Sequence, residues 1–295
     1  MKQTTNAIVM IRPVAFRMNE QTAVNNYYQK VLDGLLPSTV NAKAQQEFDA
    51  FVEKLRAVGV DVTVIEDTLE TDTPDSIFPN NWISFHENGD VALYPMFAEN
   101  RRQERREDIL DVLEEKGFEI SNIVDYTSAE EDGYFLEGTG SLILDRANKI
   151  AFACRSIRTN GKLLLNWADK LGYRLGVFNA KDENGMDIYH TNVMMALGEN
   201  FVIWGGDALP DSNEKVAIEK LFFETGKEII PISINQIAKF AGNMLAVKNE
   251  KGERLLIMSQ TAFESLSLSQ ITRIESFSKI VKGNIPIIEK YGGGS

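Results

Sequence analysis

At 295 residues the chain is long enough for one large domain or two ordinary ones, and its 43% apolar content allows a sizeable core. A formal net charge of -12 and a pI near 4.8 weigh against a nucleic-acid partner, which needs a clustered positive field, and point to small molecules instead. The single cysteine, Cys154, excludes an internal disulfide framework, fits a reducing cytoplasm and, with only two histidines, leaves a structural zinc site short of ligands.

In chain order, 7–16 reads as a buried strand, 42–58 as an amphipathic helix with apolar Phe48, Phe51, Val52, Leu55 and Val58, and 60–65 as an alternating strand. The apolar run 7–11 is stopped by Arg12-Pro13 without a cleavage pattern, and no run approaches membrane-spanning length. A fuller unit begins at Asn81, with strand 82–85, a turn at Asn88-Gly89, strand 91–95, a charged helix 99–116, a stop at Gly117 and strand 118–124. The same order recurs as 141–144, 150–154, helix 162–171 and 173–178. It recurs again as 193–197, 201–204, helix 213–225 and 228–232, and a last time as 244–247, 254–258, helix 268–281 and 285–288.

Units of strand, strand, helix, strand repeating every ~50–60 residues signal stacked or radial modules rather than one open sheet. The opening segment is a fifth unit lacking one hairpin strand, and the whole of 1–295 reads as a single domain. The competing reading is an ordinary α/β sandwich. A circular array would need a C-terminal strand beside the N-terminal one, and the chain stops before supplying it.

Polar residues stand before the first strand of each unit: Asp75 to Asn81, Glu137 to Gly140, His190-Thr191-Asn192 and Ala241-Gly242-Asn243. Tyr291-Gly292-Gly293-Gly294-Ser295 stands where the next such strand would begin. In a radial arrangement all line one central face. Glycine there lets a ligand approach the backbone, while a carboxylate, an imidazole and amides orient it. Three features are not taken as functional candidates. Cys154 lies in an apolar run and reads as a small buried hydrophobe, His86 sits beside a hairpin turn and is expected to be exposed, and Gly205-Gly206-Asp207 lacks the pattern of a dinucleotide loop.

The motifs "PDSIFPNNW", "LEGTGS", "RSIRTN", "YHTN" and "YGGGS" carry a resemblance that covers nearly the whole chain. It resembles the guanidino-group-modifying enzymes, the pentein superfamily of arginine deiminases, dimethylargininases and amidinotransferases, and within it the bacterial citrulline-utilisation hydrolases. The resemblance implies a five-bladed pseudo-symmetric α/β propeller, a cytoplasmic C-N hydrolase with no metal and no organic cofactor, and a small amino acid as partner. A homodimer is compatible with it. A cysteine near the C-terminus attacks a guanidino or ureido carbon in that family. His190 matches the histidine that moves protons, and Glu137 the acid that holds it. Asp75, Arg101 and Arg158 match residues that contact substrate, the two arginines at its carboxylate.

Arginine-specific relatives carry an acid two places after the histidine, and dimethylargininases an acidic pair where Asn80 and Asn81 stand. Here Asn81 and Asn192 are amides, which suit a neutral ureido group better than a cation. The expected reaction is therefore citrulline to ornithine, ammonia and carbon dioxide. A guanidino hydrolase and a non-catalytic binding protein are the alternatives. Family members continue past the glycine-rich segment into the nucleophilic cysteine and the closing strand, so the chain as written is expected to be inactive. A linker of the same composition is the bland account of that segment.

Overall fold

Strand β1 (Ala7–Arg12) lies parallel to β2 (Asp61–Glu66), with Ala7 opposite Asp61. A parallel pair needs a crossover, and helix α1 (Pro37–Ala57) provides it. Pro37 sits in its first turn, where a missing N–H costs nothing, and the helix buries Val40, Ala44, Phe48, Val52 and Leu55 at helical spacing. The computed structural model describes residues 2–29 and 35–295.

Four three-stranded sheets follow. In each, a hairpin of two antiparallel strands is joined by a helical connection to a third strand parallel to its second. The first sheet holds β3 (Ile83–Phe85), β4 (Asp90–Leu93) and β5 (Asn122–Asp125); the second β6 (Ile143–Asp145), β7 (Ile150–Cys154) and β8 (Arg174–Phe178). The third holds β9 (Met195–Leu197), β10 (Phe201–Trp204) and β11 (Glu228–Pro231); the fourth β12 (Leu245–Lys248), β13 (Arg254–Ser259) and β14 (Lys279–Gly283). The two-stranded opening sheet is the same unit short of its first strand, as the sequence pattern indicates.

Several stretches differ from that pattern: strand 7–16 stops at Arg12, before Pro13, and strand 118–124 begins only at Asn122. The charged segment 99–116 is not one helix. A 3-10 turn spans Glu99–Glu104, Arg105 is extended, and helix α2 covers only Asp108–Glu115. At the break the Arg105 guanidinium reaches across to Glu130 at 2.6 Å. In the last unit helix α5 ends early, at Leu268–Glu275, and the third strand is β14 rather than 285–288, where Ile285 caps and 286–288 begin helix α6 (Pro286–Gly292). Gly283 closes that strand instead of stopping a helix. Helices α3 (Gly161–Leu171) and α4 (Ser212–Glu224) lie where their periodicity places them.

The apolar clusters bind each unit to the next. Ile11 and Ile65 pack with Trp82 and Val91; Ala92 and Tyr94 with Leu142 and Trp167; Phe152 and Phe178 with Trp204, Phe222 and Met258. Val247, Leu255 and Val281 then return to Phe48 and Val52 of the opening unit. No described helix is long and apolar enough to cross a membrane.

Candidate active site

The segments before the first strands touch one another in sequence. Gly138 turns with φ of +44°, and a side chain there would collide with the Asn80 carbonyl. Thr191 Oγ1 donates to the Ser141 carbonyl at 2.6 Å, and Asn243 Nδ2 donates to the Asn192 carbonyl at 3.1 Å. Ser295 N donates to Asn243 Oδ1 at 2.6 Å. The polar motifs of four separate units are thereby gathered into one cluster.

At its centre His190 Nε2 lies 2.7 Å from Glu137 Oε2. Glu137 is wholly buried, and its two oxygens also accept from Phe97 N at 2.9 Å and Arg158 Nη1 at 3.2 Å. Burial works against its charge, but the Arg158 guanidinium, the bond from His190 and the Arg101 charge outweigh it and hold the carboxyl well below its usual range. Burial pushes the His190 imidazole the other way, down to about 4, with Glu137 opposing in part. An ionised carboxylate only accepts, so Nε2 carries the proton and Nδ1 presents a lone pair. The resting pair is a neutral imidazole beside an anion, poised to take a proton and then to stabilise it.

The two arginines are more committed to protein than the resemblance implies. Arg158 gives Nη1 to Glu137 and Nη2 to Asn25 Oδ1 and the Thr22 carbonyl, while its plane lies 4.8 Å from the Tyr189 ring centroid. Only its buried Nε has no partner. Arg101 is 3% exposed, not the solvated residue its charged neighbourhood suggests. Its Nε and Nη2 grip the two oxygens of Glu104 at 2.8 and 2.9 Å, and Nη1 donates to Asn81 Oδ1 at 2.6 Å. Glu104, itself buried, was not legible as a site residue, although three-residue spacing from Arg101 is the signal that pairs them.

Asp75 is also buried; its Oδ2 accepts from Asn19 Nδ2 at 2.9 Å and Thr22 Oγ1 at 3.1 Å, and its Oδ1 has no partner. Asn192 is half-buried with no partner for its side chain among the described residues. Asn19, Thr22 and Asn25, all from the segment after β1, were missed because nothing local marks them; only the fold brings them to Asp75 and Arg158.

The two residues set aside as chemically inert are both buried. Cys154 Sγ donates to the Ile188 carbonyl at 3.3 Å, and burial pushes its thiol up to about 12. His86 is 7% exposed, against the expectation of exposure, because the hairpin of the next unit covers it. Its Nε2 lies 3.1 Å from Ser84 Oγ and its Nδ1 3.5 Å from Arg146 Nη1.

With this arrangement in view, the family described as N,N dimethylarginine dimethylhydrolase, eukaryotic, matches residues 12–295. The chain belongs to that family. It is thus a member of the guanidino-group-modifying pentein superfamily, related to dimethylargininase and arginine deiminase. No curated protein matches it. Among solved structures, ArgZ, an arginine dihydrolase from the ornithine-ammonia cycle in cyanobacteria, aligns at 16% identity and a TM-score of 0.73 over 98% of this chain. The chain spans 39% of that protein. The substrate-bound N-terminal domain of ArgZ is matched at 17% identity and a TM-score of 0.72 over 94% of its length. A dimethylarginine dimethylaminohydrolase adduct with S-methyl-L-thiocitrulline follows at 15% identity and a TM-score of 0.65, covering 99% of this chain and 96% of that one. At these identities the likeness concerns the α/β fold.

Proposed function

We propose that this member of the family is a hydrolase of the ureido carbon of a small amino acid, in the simplest case citrulline. The observation that carries the reading is the division of polar groups around His190. The carboxylates of Glu137 and Glu104 are consumed by Arg158 and Arg101, while the groups left for a ligand are the amides of Asn81 and Asn192. The one unpartnered carboxylate oxygen in the cluster is Asp75 Oδ1, and with that oxygen assigned to the substrate's ammonium group a guanidinium would be left without a counter-ion, which is strongly disfavoured for a buried cation. A neutral urea both accepts from and donates to amides. The unpartnered Oδ1 of Asp75 suits the substrate's ammonium group.

In this mechanism His190 Nδ1 takes the proton of a thiol, and the thiolate adds to the ureido carbon. The proton passes to the departing ornithine nitrogen as its C-N bond breaks, leaving a carbamoyl thioester. Water deprotonated by His190 hydrolyses that thioester, and the carbamate gives ammonia and carbon dioxide. Glu137 holds the ring and balances the imidazolium. Cys154 cannot serve, being sealed in the core with a raised pKa, so the reading needs a thiol from outside these 295 residues. The terminal segment is tied to the site, Tyr189 Oη donating to the Gly293 carbonyl at 3.2 Å, which suits delivery from there.

The same reading takes 1–295 as one catalytic domain and its five sheets as blades of a propeller, supported by clusters that join successive units and the last to the first. A guanidino hydrolase is the second reading, favoured by the family match. Calorimetric titration with citrulline, arginine and N,N-dimethylarginine separates them: citrulline alone should bind. In a polypeptide supplying the thiol, ornithine should form from citrulline, and release of dimethylamine, or of citrulline from arginine, would sink the reading. Asn192→Asp should move preference toward the cationic ligands.

A further inference from the structure

We infer that residues 2–6 form a strap that holds the feet of all five sheets together and, through the strands that rise from them, sets the spacing of the polar cluster at the other end. The inference rests on the reading of the five sheets as a closed array, and it holds whichever ligand the cluster takes.

Each hairpin has a head, the polar segment before its first strand, and a foot, the turn between its two strands. The strap runs across the feet. Lys2 N donates to Glu87 Oε2 in the first hairpin turn at 2.9 Å. Gln3 binds the second hairpin with both ends of its amide: Nε2 donates to the Leu144 carbonyl at 2.9 Å, and Oε1 accepts from Arg146 N at 2.8 Å. Thr4, 7% exposed, gives Oγ1 to Glu199 Oε1 in the third turn at 3.1 Å. The Thr5 carbonyl accepts from Lys248 N at the end of β12, and the Asn6 carbonyl from Asp61 N at the start of β2, both at 2.9 Å. Five extended residues span at most about 18 Å, so five sheets reached by one such stretch have their feet around a common centre.

Neighbouring feet are also tied directly. Arg146 Nη1 donates to the Phe85 carbonyl at 3.1 Å, joining the second sheet to the first, and buried Lys227 pairs with buried Asp145 at 3.0 Å, joining the third to the second. Arg254 Nε meets Glu199 Oε2 at 2.7 Å between the fourth and third, and Asn249 Nδ2 donates to the Val58 carbonyl at 3.0 Å between the fourth and the opening unit. Between the opening sheet and the first, the strap itself makes the polar link, from Asn6 to Lys2. The cluster at the heads depends on these ties because the strands between are short. Strands β3, β6 and β9 have three residues each and β12 has four, roughly 10–14 Å of rise. A strand that short, paired along its length, moves as a rod, so a foot that shifts displaces Asn81, Glu137, His190 or Asn243 at its head.

Amide hydrogen exchange tests the coupling. The full chain is compared with a chain lacking residues 1–4 and with the pair variant Gln3→Ala/Thr4→Val, which keeps the backbone of the strap. In both, the Arg146 amide loses its acceptor and should exchange faster by about tenfold or more. Phe97 N, held by Glu137, and Ser295 N, held by Asn243, report on the heads and should follow by about threefold or more. Leu164 N, bonded to the Asn160 carbonyl at 2.9 Å at the start of helix α3, is the internal standard and should not move. A faster Arg146 with Phe97 and Ser295 unmoved would make the strap a local fixture and overturn the inference, leaving the array standing. Equal acceleration at Leu164 would mean a general loss of stability, which also overturns it. An Arg146 amide unmoved in both variants would remove the strap and count against the closed array with it. Should the shortened chain fail to fold, the pair variant decides alone.

Discussion

The protein has two histidines, alike in burial and unlike in what surrounds the ring. Both are buried, and burial pushes both imidazoles down to about 4. Both carry the proton on Nε2: His190 gives it to Glu137, and His86, whose Nδ1 faces the donor Arg146 Nη1, gives it to Ser84 Oγ. The difference lies in what awaits the charged form. An imidazolium at His190 would sit 2.7 Å from a carboxylate held ionised by Arg158. At His86 it would face the Arg146 cation, with Trp167 and Tyr173 rings around it. A lowered pKa therefore does not mark a catalytic histidine; a prepared counter-ion and an open lone pair do.

The strongest way to break the comparison is Glu137→Gln. It removes the counter-ion from His190 and strands the Arg158 charge, which is 2% exposed. Breaking a buried pair from one side costs about 3–5 kcal/mol, to be read from urea denaturation. A loss near zero would mean that Arg158 finds water and that Glu137 is not held as described.

Next in size is the response to acid, which treats the histidines alike. Unfolded, each takes up a proton near its ordinary 6.5; folded, each refuses it down to about 4. The unfolded chain then binds more protons across that window, so stability falls as pH drops through it, by ~3 kcal/mol per histidine. Glu137 acts lower: its stabilisation is present above its ordinary 4.5 and is lost as pH falls toward its depressed value. His86→Gln should remove about half of the histidine-linked loss between pH 6.5 and pH 4. A slope identical to wild type would show that His86 is reached by solvent.

How far the sequence reveals this molecule follows from how local each signal is. Repeated hairpins, helix faces and the histidine with its acid one unit away are legible because each unit repeats the same order, and corresponding positions of repeats meet. Arg101 is legible only through the resemblance and Glu104 not at all, since Arg101-Arg102-Gln103-Glu104-Arg105-Arg106 has the composition of a solvated face, and only the 3-10 turn aims Arg101 and Glu104 inward together. The last unit misled for a related reason. Its helix start is written in the Ser267 and Gln270 capping box, but no glycine ends the helix, and the next glycine, Gly283, terminates a strand. His86 was misjudged because its cover, Arg146, arrives from another unit 60 residues on.

The smallest effect is the most diagnostic for His86. Arg146→Gln keeps a polar side chain over the ring but removes the charge that opposes protonation. Desolvation is the larger cause of the depressed pKa and Arg146 the second, so removal should raise the His86 pKa only part of the way toward 6.5. Proton NMR titration of the ring Cε1–H reads it directly, with His190, governed by Glu137, as the internal standard that should not move. An upward shift confined to His86 would establish that the guanidinium caps its lone pair. With both resonances unmoved, Arg146 would be a bystander, and what denies His86 a proton would be burial alone.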